Sequence, residues 1–588
     1  MRAKKYLVGG ILMGMAAWPM GSVSGVLPMA AVEAAAQTGA VGDSTAGGLP
    51  AGAAQTGAGR GQTVAGNYSL ELDTGKYTTK TLPVNGQAVA FRAYEDRVYV
   101  QHPADAQYES MNIYIPEGYF SGQTIHGYTA RTAPIFLPNG VGGYMPGEAV
   151  QPGDDPMHGG SNAALVALSR GYVVAAPAIR GRTLQAADGS YTGKAPALLV
   201  DYKAAVRYLR YNKDRLPAGD TEKIISNGTS AGGALSALLG ATGNSPDYEP
   251  YLQAVGAAQE RDDIFASSDY CPITNLEHAD MAYEWIFNGV NEYHQPAMGA
   301  MRGAGKPLMP GTLKVGDKVL PMGPGPVILP GMMGMENSPA AGKDSTAKDG
   351  ARPANAPTET AAAQALSPLQ VAASAELKEQ FPAYVNSLQL KDAAGRPLTL
   401  DAQGNGSFRD YLESFYMASA QQALDSGKDL SGLDWLTIQQ GRVTGMDLAK
   451  YAVYVTRLKA VPAFDSFDLS SGETNEFGTT AIAAQHFTDF SMKNSTVSST
   501  RADERIVRLL NPMNYIGQSG VTSAKYWRIR HGAKDRDTAL AIPLLLATKL
   551  ANSGMQVDFA SPWDRGHDGD YDLSELFAWM DGICKAGR

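Results

Sequence analysis

Gly228-Thr-Ser230-Ala-Gly232 sets one serine between glycines two residues before and two residues after it. The apolar run Lys223-Ile-Ile-Ser precedes it and Gly233-Ala-Leu-Ser-Ala-Leu-Leu follows, a spacing that predicts strand, tight turn and helix. A serine on such a strained turn has its hydroxyl pushed off the sheet, where a nucleophile belongs. The flanking glycines leave no side chain to block the close strand–helix approach. The helix N-terminus adds its dipole, and the Ala231 N–H becomes a donor for an oxyanion. A serine nucleophile needs a base, and the base needs an acid to orient it. Asp535 lies in His531-Gly-Ala-Lys-Asp535-Arg-Asp537, directly after the strand-like Tyr526-Trp-Arg-Ile-Arg. His567, the last histidine of the chain, lies in Gly566-His-Asp after Val557-Asp-Phe-Ala. The predicted chemistry is acyl transfer at Ser230, with His567 as general base and Asp535 fixing its tautomer. A second oxyanion donor is expected from the loop Pro138-Asn-Gly-Val-Gly-Gly-Tyr144, with Gly142 and Gly143 as candidates.

These residues converge only if each sits at the carboxyl end of a strand in one parallel sheet. Tyr68-Ser-Leu-Glu-Leu, Ala88-Val-Ala-Phe-Arg, Arg97-Val-Tyr-Val and Met111-Asn-Ile-Tyr-Ile alternate with period 2 and read as antiparallel strands. Pro134-Ile-Phe-Leu and Gly171-Tyr-Val-Val-Ala-Ala are short apolar runs, as in buried parallel strands. Helical patterns at 162–169, 198–210, 539–550 and 573–584 fall between or after the strands. The predicted fold class is therefore α/β. Residues 271–510 break the rhythm with helical stretches at 283–287, 408–424 and 446–457, and 298–366, rich in Gly, Pro and Met, reads as an irregular insertion. The expected organisation is a sheet domain in two parts, 67–270 and 511–588, interrupted by a mostly helical insert.

The N-terminus has Arg2, Lys4 and Lys5 before a long charge-free apolar stretch and then Ala34-Ala-Ala. Residues 1–36 read as a secretory signal peptide, so a secreted or periplasmic protein without stable membrane insertion is expected. Residues 37–66, mostly Gly, Ala, Thr and Gln, read as a flexible linker. The 588 residues carry a net charge of −9, which argues against a nucleic-acid partner. Two cysteines cannot make a four-thiolate zinc site or a disulfide framework. Cys271 and Cys584 are read either as one disulfide or as two buried thiols.

Several longer strings resemble the bacterial tannases (tannin acyl hydrolases): Ala178-Ile-Arg-Gly-Arg, Gly228-Thr-Ser-Ala-Gly-Gly-Ala-Leu, Cys271-Pro-Ile-Thr-Asn-Leu, Lys459-Ala-Val-Pro-Ala-Phe-Asp, Glu473-Thr-Asn-Glu-Phe-Gly and Arg530-His-Gly. The resemblance runs from about Met111 to the C-terminus. It implies an α/β-hydrolase fold whose helical lid is inserted between the nucleophile and acid elements. It also implies a serine esterase acting on galloyl esters of small phenolic substrates, with no metal or organic cofactor required. By the same resemblance, Lys459, Glu473 and Asp537 hold the galloyl hydroxyls, although Glu476 stands only three residues from Glu473. Alternatives are a feruloyl or other carboxylesterase of the same fold, and an inactive binding protein that keeps it.

Overall fold

The computed structural model describes residues 67–293, 312–315, 318–321 and 363–586. The predicted signal and linker, and most of the 298–366 stretch, lie outside them. Nine strands form one sheet in which antiparallel pairing gives way to parallel pairing along the chain. They are β1 (Thr78–Val84), β2 (Gln87–Val98), β3 (Ser110–Pro116), β4 (Pro134–Pro138), β5 (Val173–Pro177), β6 (Asp220–Thr229), β7 (Ala266–Tyr270), β8 (Tyr526–Arg530) and β9 (Gln556–Ala560). Their order is β1-β2-β3-β5-β4-β6-β7-β8-β9. The pairs β1/β2, β2/β3 and β3/β5 are antiparallel; every pair from β5/β4 to β8/β9 is parallel. β3, β4, β5, β7 and β8 are buried throughout, whereas β1 and β9 are the partly exposed edges. A central strand covered on both faces has no polar side to show, which explains the unbroken apolar runs in β4 and β5.

Two strands escape the sequence reading. β1 carries three threonines, a lysine and Pro83, with little alternation, yet pairs with β2 along its whole length. It is closed by Asn85 and Gly86, both at positive φ, the usual residues for a two-residue hairpin turn. β7 is Ala-Ser-Ser-Asp-Tyr, and its Ser267, Ser268 and Asp269 are fully buried. Ser267 Oγ donates to Asp269 Oδ1 at 2.6 Å and lies 3.0 Å from the Ser236 carbonyl, so hydrogen bonds meet part of this strand's buried polarity, whereas Ser268 Oγ and Asp269 Oδ2 have no hydrogen-bond partner among the described residues. Conversely, the expected strand at 68–72 is irregular. Asn212 holds it from both sides, accepting from Leu72 N at 2.8 Å and donating to the Leu70 carbonyl at 2.8 Å.

After β7 the chain leaves the sheet. Helices Leu276–Phe287, Pro368–Ser387, Ser407–Asp425 and Leu448–Val455 and the short Gly472–Glu476 follow before the chain returns at β8. The aromatic rings of Trp285, Phe381 and Phe408 join the first three of these helices, with Trp285 centroids 5.1 and 5.9 Å from the other two. One apolar cluster is continuous from the sheet into these helices. The sheet and its helical insert thus give the α/β-hydrolase arrangement expected from the sequence. Among the described residues no helix is long and apolar enough to cross a membrane.

Candidate active site

Ser230 follows β6 and caps helix Ala231–Ala241 with φ 62° and ψ −123°. A non-glycine residue with positive φ is strained, and the surroundings hold it there: its N–H donates to the Tyr270 carbonyl of β7 at 2.9 Å. The glycines around it are required sterically. A Cβ at Gly228 would lie 2.2 Å from the Gly232 carbonyl oxygen, and one at Gly232 would lie 2.6 Å from that of Val141. Asn139, at the end of β4, ties the next loop to this turn. Its Nδ2 donates to the carbonyls of Asn227 and Gly232 and to Ser236 Oγ, and its Oδ1 accepts from Val141 N. The turn therefore touches this loop at Val141. Gly142 and Gly143, the expected oxyanion donors, are the next two residues and are exposed.

β8 and β9 bring up the acid and the base. His567 Nε2 lies 2.7 Å from Ser230 Oγ, and Nδ1 lies 2.9 Å from Asp535 Oδ2. Asp535, 2% exposed, also accepts from Asp537 N at 2.9 Å on its other oxygen. Burial works to raise its pKa, but the imidazoles of His567 and His531 and these hydrogen bonds outweigh it, and the carboxyl stays below its ordinary value. Burial alone would lower the pKa of His567. Cys271, Asp535 and Asp537 around it outweigh burial and push it well above the ordinary histidine value. His531 is buried beside the same carboxylate, Nδ1 3.3 Å from Asp535 Oδ2, and burial pushes its pKa down to about 4.

The three residues expected to hold hydroxyls gather next to this chain of hydrogen bonds. Lys459 Nζ pairs with Asp537 Oδ1 at 3.0 Å, and Asp537 Oδ1 is 3.9 Å from His567 Nε2. Lys459 also stands 4.1 Å above the Phe464 ring. Burial raises the Glu473 pKa against the charge of Lys459, and Asp537 and Arg182 also act on it. Glu476 points elsewhere, into a small cavity with Tyr144, Leu198, Leu235 and Leu510, with Lys194 and Arg182 as its nearby cations. Arg182 Nε donates to the Gly143 carbonyl at 2.8 Å and Nη1 to Asn475 Oδ1 at 3.1 Å, so one side chain joins the glycine loop to the short helix carrying Glu473.

Sequence reading singled out none of Asn139, Arg182 and His531 as functional, although all three stand inside or beside the quoted strings. Their signal lies in contacts between distant segments. Tyr283 is another such residue: its hydroxyl donates to the Arg536 carbonyl at 2.7 Å and accepts from Leu458 N at 3.1 Å. Cys271 is a free buried thiol that donates to the Asp568 carbonyl at 3.2 Å, so the disulfide reading is set aside. Among the described residues, Cys271, Asp535 and His567 form the one cluster of metal-type donors.

This arrangement can carry out acyl transfer: a strained serine, a base in contact with it, a buried acid behind the base, and the charged cluster of Lys459, Asp537 and Glu473 alongside. Residues 145–304 match the family model BD-FAE. A search of curated proteins finds no match. The tannin acyl hydrolase from Lactobacillus plantarum is 42% identical, with 88% of this chain and 99% of that chain covered and a TM-score of 0.75. The Fusobacterium nucleatum tannase is 46% identical, with 88% and 100% covered and a TM-score of 0.76. A tannin acyl hydrolase solved in complex with ethyl gallate is 42% identical, with 88% and 99% covered and a TM-score of 0.74.

Proposed function

This chain belongs to the tannase family, and from that membership we propose that it is an exported serine esterase that hydrolyses galloyl esters. The observation that carries the reading is the hydrogen-bonded series Ser230–His567–Asp535 with Lys459, Asp537 and Glu473 beside it. Ser230 Oγ attacks the ester carbonyl while its proton passes to His567 Nε2. The Nδ1–H of His567 donates to Asp535, which holds the tautomer and stabilises the imidazolium. The Ala231 N–H, with an N–H of the Gly142/Gly143 loop, stabilises the tetrahedral oxyanion. His567 returns the proton to the departing alcohol. It then takes a proton from water as the water oxygen bonds the acyl carbon, and returns that proton to Ser230 Oγ as the acyl–serine bond breaks and gallate leaves. Lys459, Asp537 and Glu473 meet the three ring hydroxyls. A ring lacking hydroxyls would leave these buried polar groups unpaired, which discriminates strongly against it.

Methyl gallate hydrolysis tests the chemistry. Ser230→Ala is expected to lower kcat by on the order of 10⁶, and an unchanged rate overturns the mechanism. Lys459→Ala is expected to slow gallate esters much more than p-nitrophenyl acetate. Equal losses on both, or faster turnover of ferulate esters by the wild type, would favour a different carboxylesterase. Export rests on the first 36 residues, and is tested by sequencing the N-terminus of protein recovered outside the cytoplasm.

A further inference from the structure

We propose that Cys271, Asp535 and His567 form an inhibitory site for a thiophilic divalent cation, Cd²⁺ or Zn²⁺. The inference rests on the triad reading above and adds to it a ligand that hydrolysis does not use. One donor atom from each residue lies within 4.8 Å of the other two. Ligands about 2.0–2.3 Å from a tetrahedral ion stand roughly 3.3–3.7 Å from one another, so the widest donor pair closes by at most about 1–1.5 Å and the hydrogen-bonded His567 Nδ1–Asp535 Oδ2 pair, 2.9 Å apart, opens by about 0.5 Å to seat the ion. The donors are already held in place without it. Cys271 Sγ donates to the carbonyl of Asp568, the neighbour of His567, and His567 Nδ1 is 2.9 Å from Asp535 Oδ2. A thiolate, an imidazole and one carboxylate suit Zn²⁺ and Cd²⁺, whereas Mg²⁺ and Ca²⁺ require a shell of oxygens. The His567 side chain is 21% exposed whereas Cys271 and Asp535 are buried, so an ion reaches the cluster past the imidazole.

Binding is an exchange without oxidation or reduction. The Cys271 thiol loses its proton to water and its sulfur bonds the ion. His567 bonds through Nδ1, whose proton moves to Nε2, and one Asp535 oxygen completes the protein ligands. Nε2 then carries a hydrogen and cannot accept the proton of Ser230, so esterase turnover stops. Cys584 lies on the last helix and takes no part.

The test titrates CdCl₂ into wild type, Cys271→Ser, Cys271→Ala and Cys584→Ala. It follows methyl gallate turnover, relative to each variant's own metal-free rate, and the ultraviolet band of a cadmium–thiolate bond. In the wild type the band is expected to grow to one ion per chain as turnover falls, and a chelator should reverse both. Both Cys271 variants should need at least about tenfold more cadmium and lack the band, while Cys584→Ala behaves like the wild type. Cys271→Ser keeps a donor for the Asp568 carbonyl and guards against a folding defect in the alanine variant. Equal sensitivity of Cys271→Ser and wild type overturns the site, as does a band that disappears only in Cys584→Ala. A band lost in Cys271→Ser, from a wild type inactive on every ester, would uphold the metal site and reject the esterase.

Discussion

At the scale of single residues the site is a problem of charge. His567 touches Ser230 on one side and Asp535 on the other, with the Asp537 carboxylate 3.9 Å from the nitrogen that must accept a proton. Anions on this side favour the imidazolium, and the raised His567 pKa follows. A base must be neutral to work, so kcat/KM should fall as pH drops through a value above that of an ordinary histidine. Lys459, 3.0 Å from Asp537, offsets part of that field. The two neighbours therefore have opposite expected effects. Asp537→Asn removes an anion, lowers the His567 pKa and moves the acid limb to lower pH. Lys459→Met leaves Asp537 without its counter-charge and moves the limb to higher pH. Profiles measured with p-nitrophenyl acetate, which needs no galloyl contacts, separate this effect from binding; movement of both limbs in one direction would refute it. Asp535→Asn should cost about 10⁴ in kcat through the wrong tautomer.

At the scale of elements, helix Leu276–Phe287 holds the lid segments together and, through the Tyr283 hydroxyl on the Arg536 carbonyl, ties them to the sheet domain. Arg457 and Glu284 are fully buried and paired through two oxygens at 2.6 and 3.1 Å, and Arg457 Nε donates to the Lys459 carbonyl at 2.9 Å. Asp280 accepts from Phe464 N and Asp465 N at 2.7 and 3.1 Å, pinning the loop between Lys459 and Glu473. Glu284→Ala leaves a buried guanidinium without its counter-ion and should destabilise the protein by about 3–5 kcal/mol, read as a lower denaturant midpoint. Tyr283→Phe is milder. It removes the hydroxyl between Leu458 and Arg536, so KM for methyl gallate should rise while p-nitrophenyl acetate turnover barely changes. A matched loss on both substrates would place Tyr283 in general stability instead. None of these links is legible in sequence, because each joins segments far apart and a lone Glu, Asp or Arg is by default a surface residue. What is legible follows from local physics. Tyr526–Arg530 reads as a strand because every residue is buried between two parallel neighbours, and Ser230 stands out because only glycine fits at 228 and 232. β7 is hidden because its side chains are polar yet buried, with Ser267 bonded to Asp269 and to Ser226 of β6 inside the core.

At the scale of the whole molecule, a sheet that is antiparallel at its start and parallel beyond β5 carries a helical insert, and the site lies where the insert meets the carboxyl ends of β6, β8 and β9. Within the insert, Glu292 and Tyr293 pair antiparallel with Ala365 and Gln364. The chain thus leaves and returns at one point, whatever lies between. The cost of closing a loop grows only with the logarithm of its length, about 0.6 kcal/mol per doubling, so a long excursion between paired ends is nearly neutral for stability and a short one slightly favourable. Replacing residues 295–362 by a four-residue Gly-Asn-Gly-Ser turn should therefore leave the denaturant midpoint within the equivalent of about 2 kcal/mol and keep methyl gallate turnover close to that of the intact chain. The same variant compared on a polygalloylated sugar reads the other role open to this segment. A selective change there, with methyl gallate unaffected, assigns residues 295–362 to the handling of large substrates. Loss of turnover on both would mean that the segment supports the lid itself, and the loop-closure argument would fail.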